Sequence, residues 1–457
     1  MKIVILGAGQ VGSSVAESLV SEHNDITVVD VEPGRLRALQ DRLDLRTVTG
    51  SASHPSVLAE AGIEDADLLI AVTQSDETNL VACKLAARMF NVPRRVARIR
   101  ANAFLDNKMV LGPDGFEVDL SICPEQVLTD YIVKLVEFPE ALQVLDFAGG
   151  RVSLVAVRAY QGGPMVGRPV KDIRAHIPNI DTRIVAIFRR DGAILPDGDT
   201  VIEDGDEVFC LAAADDIRQV MKELRRMDQP VRRVMIAGGG NIGLRLARAL
   251  ETDYSVRLVE HNKGRCEMLA AKLQRALVLN GDATDEELLE QENIAEMDLF
   301  VAVTNDDENN IMGSLLAKRM GARRVVALIN RRSYVDLLQS GQIDIAISPA
   351  QATIGKLLAH VRRGDVVAVH SLRRGAAEAL EAVVHGDRDS CRLSGRLVGE
   401  IELPAGAIIG ALVREGKVLM AHHDTRIEAE DHVIVFVTDK KTLPRVEKLF
   451  QVGARFL

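Results

Sequence analysis

The chain has no run of uncharged residues long enough to cross a bilayer. Its longest stretch free of Asp, Glu, Lys and Arg is about 14 residues, Ile3 to Ala16, against the ~20 a membrane-spanning helix needs. That stretch holds Gly-x-Gly-x-x-Gly and no cleavage-like site follows it, so it is not read as a signal peptide. Basic residues are not in excess. Fifty-six Lys and Arg against 66 Asp and Glu leave a net charge of −10, which argues against a dedicated nucleic-acid binder and a polybasic membrane anchor. The five cysteines (Cys83, Cys123, Cys210, Cys266, Cys391) are scattered without a Cys-x-x-Cys pair. They support neither a disulfide framework nor a zinc ribbon, and a reduced cytosolic compartment fits. Also missing are a Gly-x-x-x-x-Gly-Lys-Ser/Thr phosphate loop, a metal-ligand cluster and a Tyr-x-x-x-Lys spacing, Tyr131 to Lys134 being one residue short. What remains is ordinary globular composition, 47% hydrophobic and 27% charged, which excludes long disorder. A length of 457 residues suggests about three domains, with two or four small ones also open.

The chain repeats itself. Lys2-Ile-Val-Ile-Leu-Gly7-Ala-Gly9-Gln-Val-Gly12 returns about 231 residues later as Arg233-Val-Met-Ile-Ala-Gly238-Gly-Gly240-Asn-Ile-Gly243, and residues 66–89 match 297–320 at about 12 of 24 positions. The best-matched segment runs Asp67 to Asn79 and Asp298 to Asn310. Beyond it, Gly167–Ile173 resembles Gly395–Ile401, Ile184–Gly192 resembles Ile408–Gly416, and Asp199–Val208 resembles Asp424–Val433. Each half is a larger unit followed by a smaller one.

In the larger unit, short aliphatic runs (Ile3–Leu6, Ile26–Val29, Leu45–Val48, Leu68–Val72, Arg95–Ile99) alternate with helical patterns such as Val11–Leu19 and Thr78–Met89. That alternation predicts an α/β fold with a Rossmann-like, doubly wound parallel sheet. The smaller unit has strands at Val152–Val157, Ile184–Phe188 and Glu207–Ala212 and a helix at Asp215–Leu224, a small α+β domain. Between the units, Val127, Leu128, Tyr131, Ile132, Leu135 and Val136 recur at helical spacing in Pro124–Glu137, as do Ile354, Leu357, Leu358 and Val361 after Pro349. Each such helix either packs on its own domain or bridges subunits. The expected boundaries are 1–123, 124–142 (crossover helix) and 143–227, then 232–348, 349–366 (crossover helix) and 367–453, with Met227–Arg233 as linker.

Gly7-x-Gly9-x-x-Gly12 follows a strand and opens a helix, as the dinucleotide fingerprint requires. Gly7 allows the tight turn, Gly9 lets the backbone approach a pyrophosphate, and Gly12 allows close helix–strand packing. The helix N-terminus offers free N–H groups to the phosphates. Asp30 closes the second strand, where a carboxylate accepts from ribose hydroxyls and repels a 2′-phosphate, so NAD(H) or an adenine nucleotide is favoured over NADP(H). The alternative for Asp30 is an N-cap of the helix near Pro33. The second copy has Gly238, Gly239, Gly240, Asn241, Ile242 and Gly243, with Glu260 after its second strand. Thr73-Gln74 and Thr304-Asn305 sit at the carboxyl end of the fourth strand, beside the crevice where such sheets bind ligands. Ser75, Asp76 and Glu77 also suit helix capping. Arg98, at the end of the fifth strand, could pair with phosphate or ribose; matching Arg95 to Arg324 puts Ala327 at its place in the second half.

A dehydrogenase needs a proton-transfer residue against the nicotinamide, and none is visible. His422-His423 falls in a turn of the last small unit and is read as solvent-facing. An NAD-dependent oxidoreductase stays as the alternative; a redox-sensing DNA regulator would need a basic helix-turn-helix. The duplicated Gly-rich units, the Asp/Glu-terminated second strands, the Ala-Val-Thr-x-x-Asp-Glu-x-Asn segments, Arg98-Ile-Arg100 and Ile187-Phe-Arg-Arg-Asp together resemble the tandem RCK (regulator of potassium conductance) family. The resemblance implies a first site of Gly7, Ala8, Gly9, Gln10, Val11, Asp30, Thr73, Gln74 and Arg98, with Gly12 completing the loop. Its second site would be Gly238, Gly239, Gly240, Asn241, Ile242, Glu260, Thr304 and Asn305, with Gly243. It further implies NAD(H) as ligand with ATP/ADP as further candidates, no catalysis, and self-assembly into a ring, a homotetramer. The expected partner is an integral membrane potassium transporter or channel subunit gated from the cytoplasmic face of the inner membrane. Neither nucleic acid nor direct membrane insertion is expected.

Overall fold

Fully aliphatic runs of four or five residues can be buried on both faces only in a sheet sandwiched by helices, and that is what both larger units build. The computed structural model describes residues 1–20, 24–190, 192–224, 230–331, 334, 343–361, 366–372, 377–388 and 390–451. Part of the expected linker (227–229), Asp191 of one repeat match and parts of the 349–366 and 367–453 segments lie outside these.

The first unit comprises β1 (Lys2–Leu6), α1 (Gln10–Val20), β2 (Asp25–Asp30), α2 (Pro33–Gln40), β3 (Arg46–Thr49), α3 (Pro55–Glu60), β4 (Leu68–Ala71), α4 (Asp76–Arg88), β5 (Arg95–Arg98), the short α5 (Asn102–Leu105) and α6 (Lys108–Leu111), and β6 (Leu120–Ile122). Its strands are parallel in the order β3-β2-β1-β4-β5-β6. The order reverses between β1 and β4, the switch point beside which such sheets bind ligands. After the crossover helix α7 (Pro124–Glu137) come β7 (Ala141–Phe147), β8 (Val152–Arg158), α8 (Ile173–His176), β9 (Thr182–Arg189), β10 (Gly192–Ile194), β11 (Glu207–Ala213) and α9 (Ile217–Leu224), a five-stranded antiparallel lobe.

The second half repeats this: β12 (Arg233–Ala237), α10 (Asn241–Leu250), β13 (Ser255–Glu260), α11 (Lys263–Lys272), β14 (Leu277–Asn280), α12 (Glu286–Gln291), β15 (Leu299–Ala302), α13 (Asp307–Arg319), β16 (Val325–Leu328) and β17 (Ile345–Ile347). Helix α14 (Pro349–Val361) then leads to β18 (Val366–Leu372), β19 (Ala377–Val383), β20 (Ala407–Arg414), β21 (Lys417–Met420), β22 (His432–Val437) and α15 (Leu443–Phe450). The sheet orders are equivalent to those of the first half. Strands β6 and β10 and their second-half partners are too short to be read from sequence; β7 and β18, seven residues each, were not expected either.

The crossover helices touch their own half but also bury apolar residues against the nucleotide unit of the other half. Leu128, Ile132, Leu135 and Val136 of α7 are buried with Leu246, Leu250, Val256 and Leu258 of the second unit. Reciprocally, Leu357, Leu358 and Val361 of α14 join the core containing Val15, Leu19 and Ile26 of the first. Equivalent arginines fasten each exchange. Arg94 donates to the His360 carbonyl at the end of α14 at 3.0 Å, and Arg324 donates to the Pro139 and Ala141 carbonyls just beyond α7. The halves of one chain therefore meet as two subunits of a dimer would, and the bridging expected between chains is met within this one. The antiparallel lobes also pack face to face, with Phe147, Phe188 and Phe209 in one core with Phe436.

Candidate nucleotide sites

Both glycine loops take the conformation their sequence demands. Gly7 and Gly238 have φ of +106° and +105°, open to glycine but costly for other residues. A Cβ on Gly12 would lie 1.8 Å from the Gly7 carbonyl oxygen, and one on Gly243 1.9 Å from that of Gly238, so helix and strand touch there through backbone alone. At Gly9 and Gly240 a Cβ would meet nothing within 4 Å. The missing side chain there leaves open space over the loop, the fit a pyrophosphate requires. Among the described residues no acceptor takes the N–H groups of Gly9, Gln10 and Val11, or of Gly240, Asn241 and Ile242, as expected of a helix's first turn.

The two acids hold these loops. Asp30 accepts from Ala8 N at 2.6 Å and Glu32 N at 2.9 Å, and Glu260 accepts from Gly239 N and Asn262 N, both at 2.9 Å. Both carboxylates are buried. Glu32, not Asp30, stands at the N-cap of α2, and it caps through no side chain; the capping alternative for Asp30 fails. Each carboxylate oxygen keeps further lone-pair capacity at the mouth of the loop.

Thr73 and Thr304 are spent largely on structure. Asn79 Oδ1 accepts from Thr73 N and Oγ1 at 3.0 and 2.7 Å, and its Nδ2 donates to the Arg98 carbonyl at 2.9 Å. Asn310 repeats this strut with Thr304 and the Leu328 carbonyl. Sequence reasoning missed the role of these fully buried asparagines, although both stand in the best-matched segment. Gln74 and Asn305 are exposed beside the crevice. Ser75 caps α4 by accepting from Thr78 N at 3.0 Å, as expected. Asp76 accepts from Arg100 N and Ala101 N, both at 2.8 Å. Glu77 is held below the usual carboxylate range by its backbone N–H and the Ser75 hydroxyl.

Arg98 has Nη2 2.8 Å from Glu125 Oε1, while its Nε is buried without an acceptor among the described residues. An unmet donor of that kind costs about 1–3 kcal/mol until an acceptor arrives. Its counterpart is not Ala327. Ala97 pairs with Ala71 and Ala327 with Ala302, so the strand ends Arg98 and Leu328 correspond; the first half carries one extra residue ahead of the strand. His422 also departs from its expected place. It is half-buried between the lobes, 3.2 Å from Asp181 and 2.9 Å from Arg174, whereas His423 is exposed. No group of three or more metal-ligating side chains occurs among the described residues.

Comparison with known proteins agrees with this architecture. The TrkA-N domain family matches residues 3–114 and 234–349, and the TrkA-C domain family matches 154–225 and 388–451. The chain is 58% identical to the Trk system potassium uptake protein TrkA of Halomonas elongata and 56% identical to that of Vibrio alginolyticus, in each case over 100% of both chains. Among solved structures it resembles the GsuK RCK domain (TM-score 0.62, 17% identity, 98% of this chain and 94% of that one) and the GsuK channel bound to NAD (TM-score 0.61, 17% identity, 98% and 78%). With two TrkA-N and two TrkA-C domains in tandem and the fold of RCK domains, the chain belongs to the TrkA family of Trk system potassium uptake proteins.

Proposed function

We propose that the chain is the cytosolic, ring-forming regulator of a Trk-type potassium uptake system, binding NAD(H), and ATP or ADP as well, and gating the integral membrane subunit as ligand changes the ring's shape. One observation carries the reading: in both halves a glycine loop with free N–H groups lies open over Gly9 or Gly240 while a buried acid grips the adjoining residue. The NAD of the similar GsuK channel supports this choice of ligand. The proposed contacts are Gly7 to Gly12, Asp30, Thr73, Gln74 and Arg98 in the first site, and Gly238 to Gly243, Glu260, Thr304 and Asn305 in the second. The segment boundaries set out from sequence remain part of the proposal.

Regulation requires ligands with different affinity for two ring shapes, not turnover. No described helix is long and apolar enough to cross a membrane, so attachment would come through the integral subunit, and homotetramers would form the ring. Purified protein should bind NADH without oxidising it in the presence of common carbonyl substrates. It should sediment with membranes only when the potassium-conducting subunit is present. Steady NADH turnover, or binding to protein-free liposomes at physiological salt, would contradict the reading.

A further inference from the structure

Four parts of the chain meet at one joint: the end of α7, helix α9 of the first lobe, the segment joining the halves, and the second nucleotide unit. A cavity of about 360 Å³ opens between them. Its buried lining is apolar except for one group. Val136, Pro139 and Val231 are buried there, and so is Glu140, at 3% exposure. Glu140 Oε2 is sealed from solvent and takes no hydrogen bond among the described residues, a costly state for a carboxylate until a donor arrives. The exposed lining carries the opposite charge. Arg218 and Lys222 stand one turn apart on α9, with Glu137 and Pro230 beside them and the half-buried Tyr254 completing the wall. Arg218 Nη2 donates to the Glu137 carbonyl at 2.8 Å, and Lys222 is held by no more than a 3.4 Å bond to Gln219 Oε1.

This arrangement selects among occupants. A metal ion needs several oxygen ligands, but the carbonyls of Glu137, Pro139 and Ala141 already accept from Arg218 and Arg324. A metal ion or a simple amine would also pass two cationic side chains on the way in. A simple anion would meet Glu140. A molecule with an ammonium group at one end and a carboxylate at the other suits both ends. Its N–H groups satisfy Glu140, its carboxylate lies by Arg218 and Lys222, and its methylenes cover the apolar lining. The repeat does not build this cavity twice. Pro230 and Val231 belong to a join that occurs once. Asn24 stands where the second unit has Tyr254, since Asp25 N and Ser255 N donate equivalently to the Met1 and Arg232 carbonyls.

We propose that this cavity is a binding site for a small zwitterion, an amino acid whose primary ammonium group is separated from its carboxylate by a short methylene chain, and that each chain carries one such site. Glu140 receives the ammonium group, and Arg218 with Lys222 receives the carboxylate. Because the lining comes from the first lobe, the crossover helix and the second nucleotide unit, a bound molecule ties all three together. The proposal does not depend on what the glycine loops bind.

Calorimetric and thermal-melting titrations of the full chain test this with 4-aminobutyrate, 5-aminovalerate and 6-aminohexanoate, and with pentylamine and valerate as analogues bearing one charge each. At least one zwitterion should bind once per chain and raise the melting temperature. It should bind roughly tenfold more tightly than either analogue, the scale of one charge-assisted contact. Glu140→Gln should weaken that binding by about tenfold, and Lys222→Glu should weaken it by a similar factor. Without ligand, Glu140→Gln should melt no earlier than the unmodified chain, because it removes a buried charge that has no partner; a carboxylate with a purely structural role would give an earlier transition. Absence of saturable binding by all three zwitterions overturns the proposal. So does an affinity matched by pentylamine or valerate, or one that survives both Glu140→Gln and Lys222→Glu.

Discussion

Ala8 and Gly239 occupy the same place in the two loops, and the difference between them follows from what packs beside each, Leu269 and the longer acid Glu260 in the second. Asp30 is short, and the Ala8 methyl fits beside it. Glu260 is one methylene longer, and a Cβ on residue 239 would lie 3.0 Å from its Oε2 and 2.4 Å from Leu269 Cδ1. Gly239→Ala should therefore weaken the second site by about 1–3 kcal/mol, the usual cost of overpacking. Adding Leu269→Val, which shortens the side chain making the nearest contact, should recover part of it; a double variant no better than Gly239→Ala in NADH titration would contradict the size argument. Asp30→Ala and Glu260→Ala should each cost one site about 1–3 kcal/mol in binding, since each leaves a loop N–H unmet. Unchanged affinity at both sites would show the acids to be dispensable. The glycines and acids were legible because their chemistry depends on type and spacing. Glu125 and Arg245 were not, because their partners lie 27 to 145 positions away; the asparagine struts were not, because nothing in their spacing from Thr73 or Thr304 shows that the side chain is buried.

At the level of elements, α7 and α14 matter most. Their apolar stripes were readable at helical spacing, but an amphipathic stripe does not say which surface covers it. The registers inside β5 and β16 were likewise beyond a one-residue alignment. With Leu135 buried in one core with Leu246 and Leu250, Leu135→Asp should destabilise the second nucleotide unit rather than only break up an oligomer. The loss should reach at least the ~2–5 kcal/mol of a large-to-small core change, read as an early melting transition. A melting curve like that of the unmodified chain, with smaller assemblies by light scattering, would restore the intersubunit reading. Histidines at these joints add a pH dependence. His370 of β18 donates through Nε2 to the Asp146 carbonyl at 3.2 Å and packs edge-on to Phe147. Burial lowers its pKa, and burial with Arg94 lowers that of His360 in α14. The unfolded chain then binds more protons near and below pH 6.5, so stability should fall as pH drops through that range. His370→Gln with His360→Gln should flatten the melting-temperature profile between pH 7.5 and 5.5; an unaltered slope would remove these two as its source.

At the scale of the whole molecule, duplication within one chain has let the two nucleotide units diverge while each still lends its crossover helix to the other. The tandem fold and the family could be read from the sequence, since glycines, acids and the Asp67–Asn79 segment recur with their spacing. The contacts between the two units could not, because they join residues more than 140 positions apart, Arg100 and Arg245 among them. The central claim is that nucleotide bound at these loops governs potassium movement through a separate membrane protein. Potassium flux into vesicles carrying the integral Trk-type subunit measures it directly, with the chain or its Asp30→Ala, Glu260→Ala double variant added, with and without NADH or ATP. The account predicts flux that changes with nucleotide when the unmodified chain is present and is insensitive to nucleotide with the double variant. A nucleotide response of equal size with both, or none with either, would contradict it.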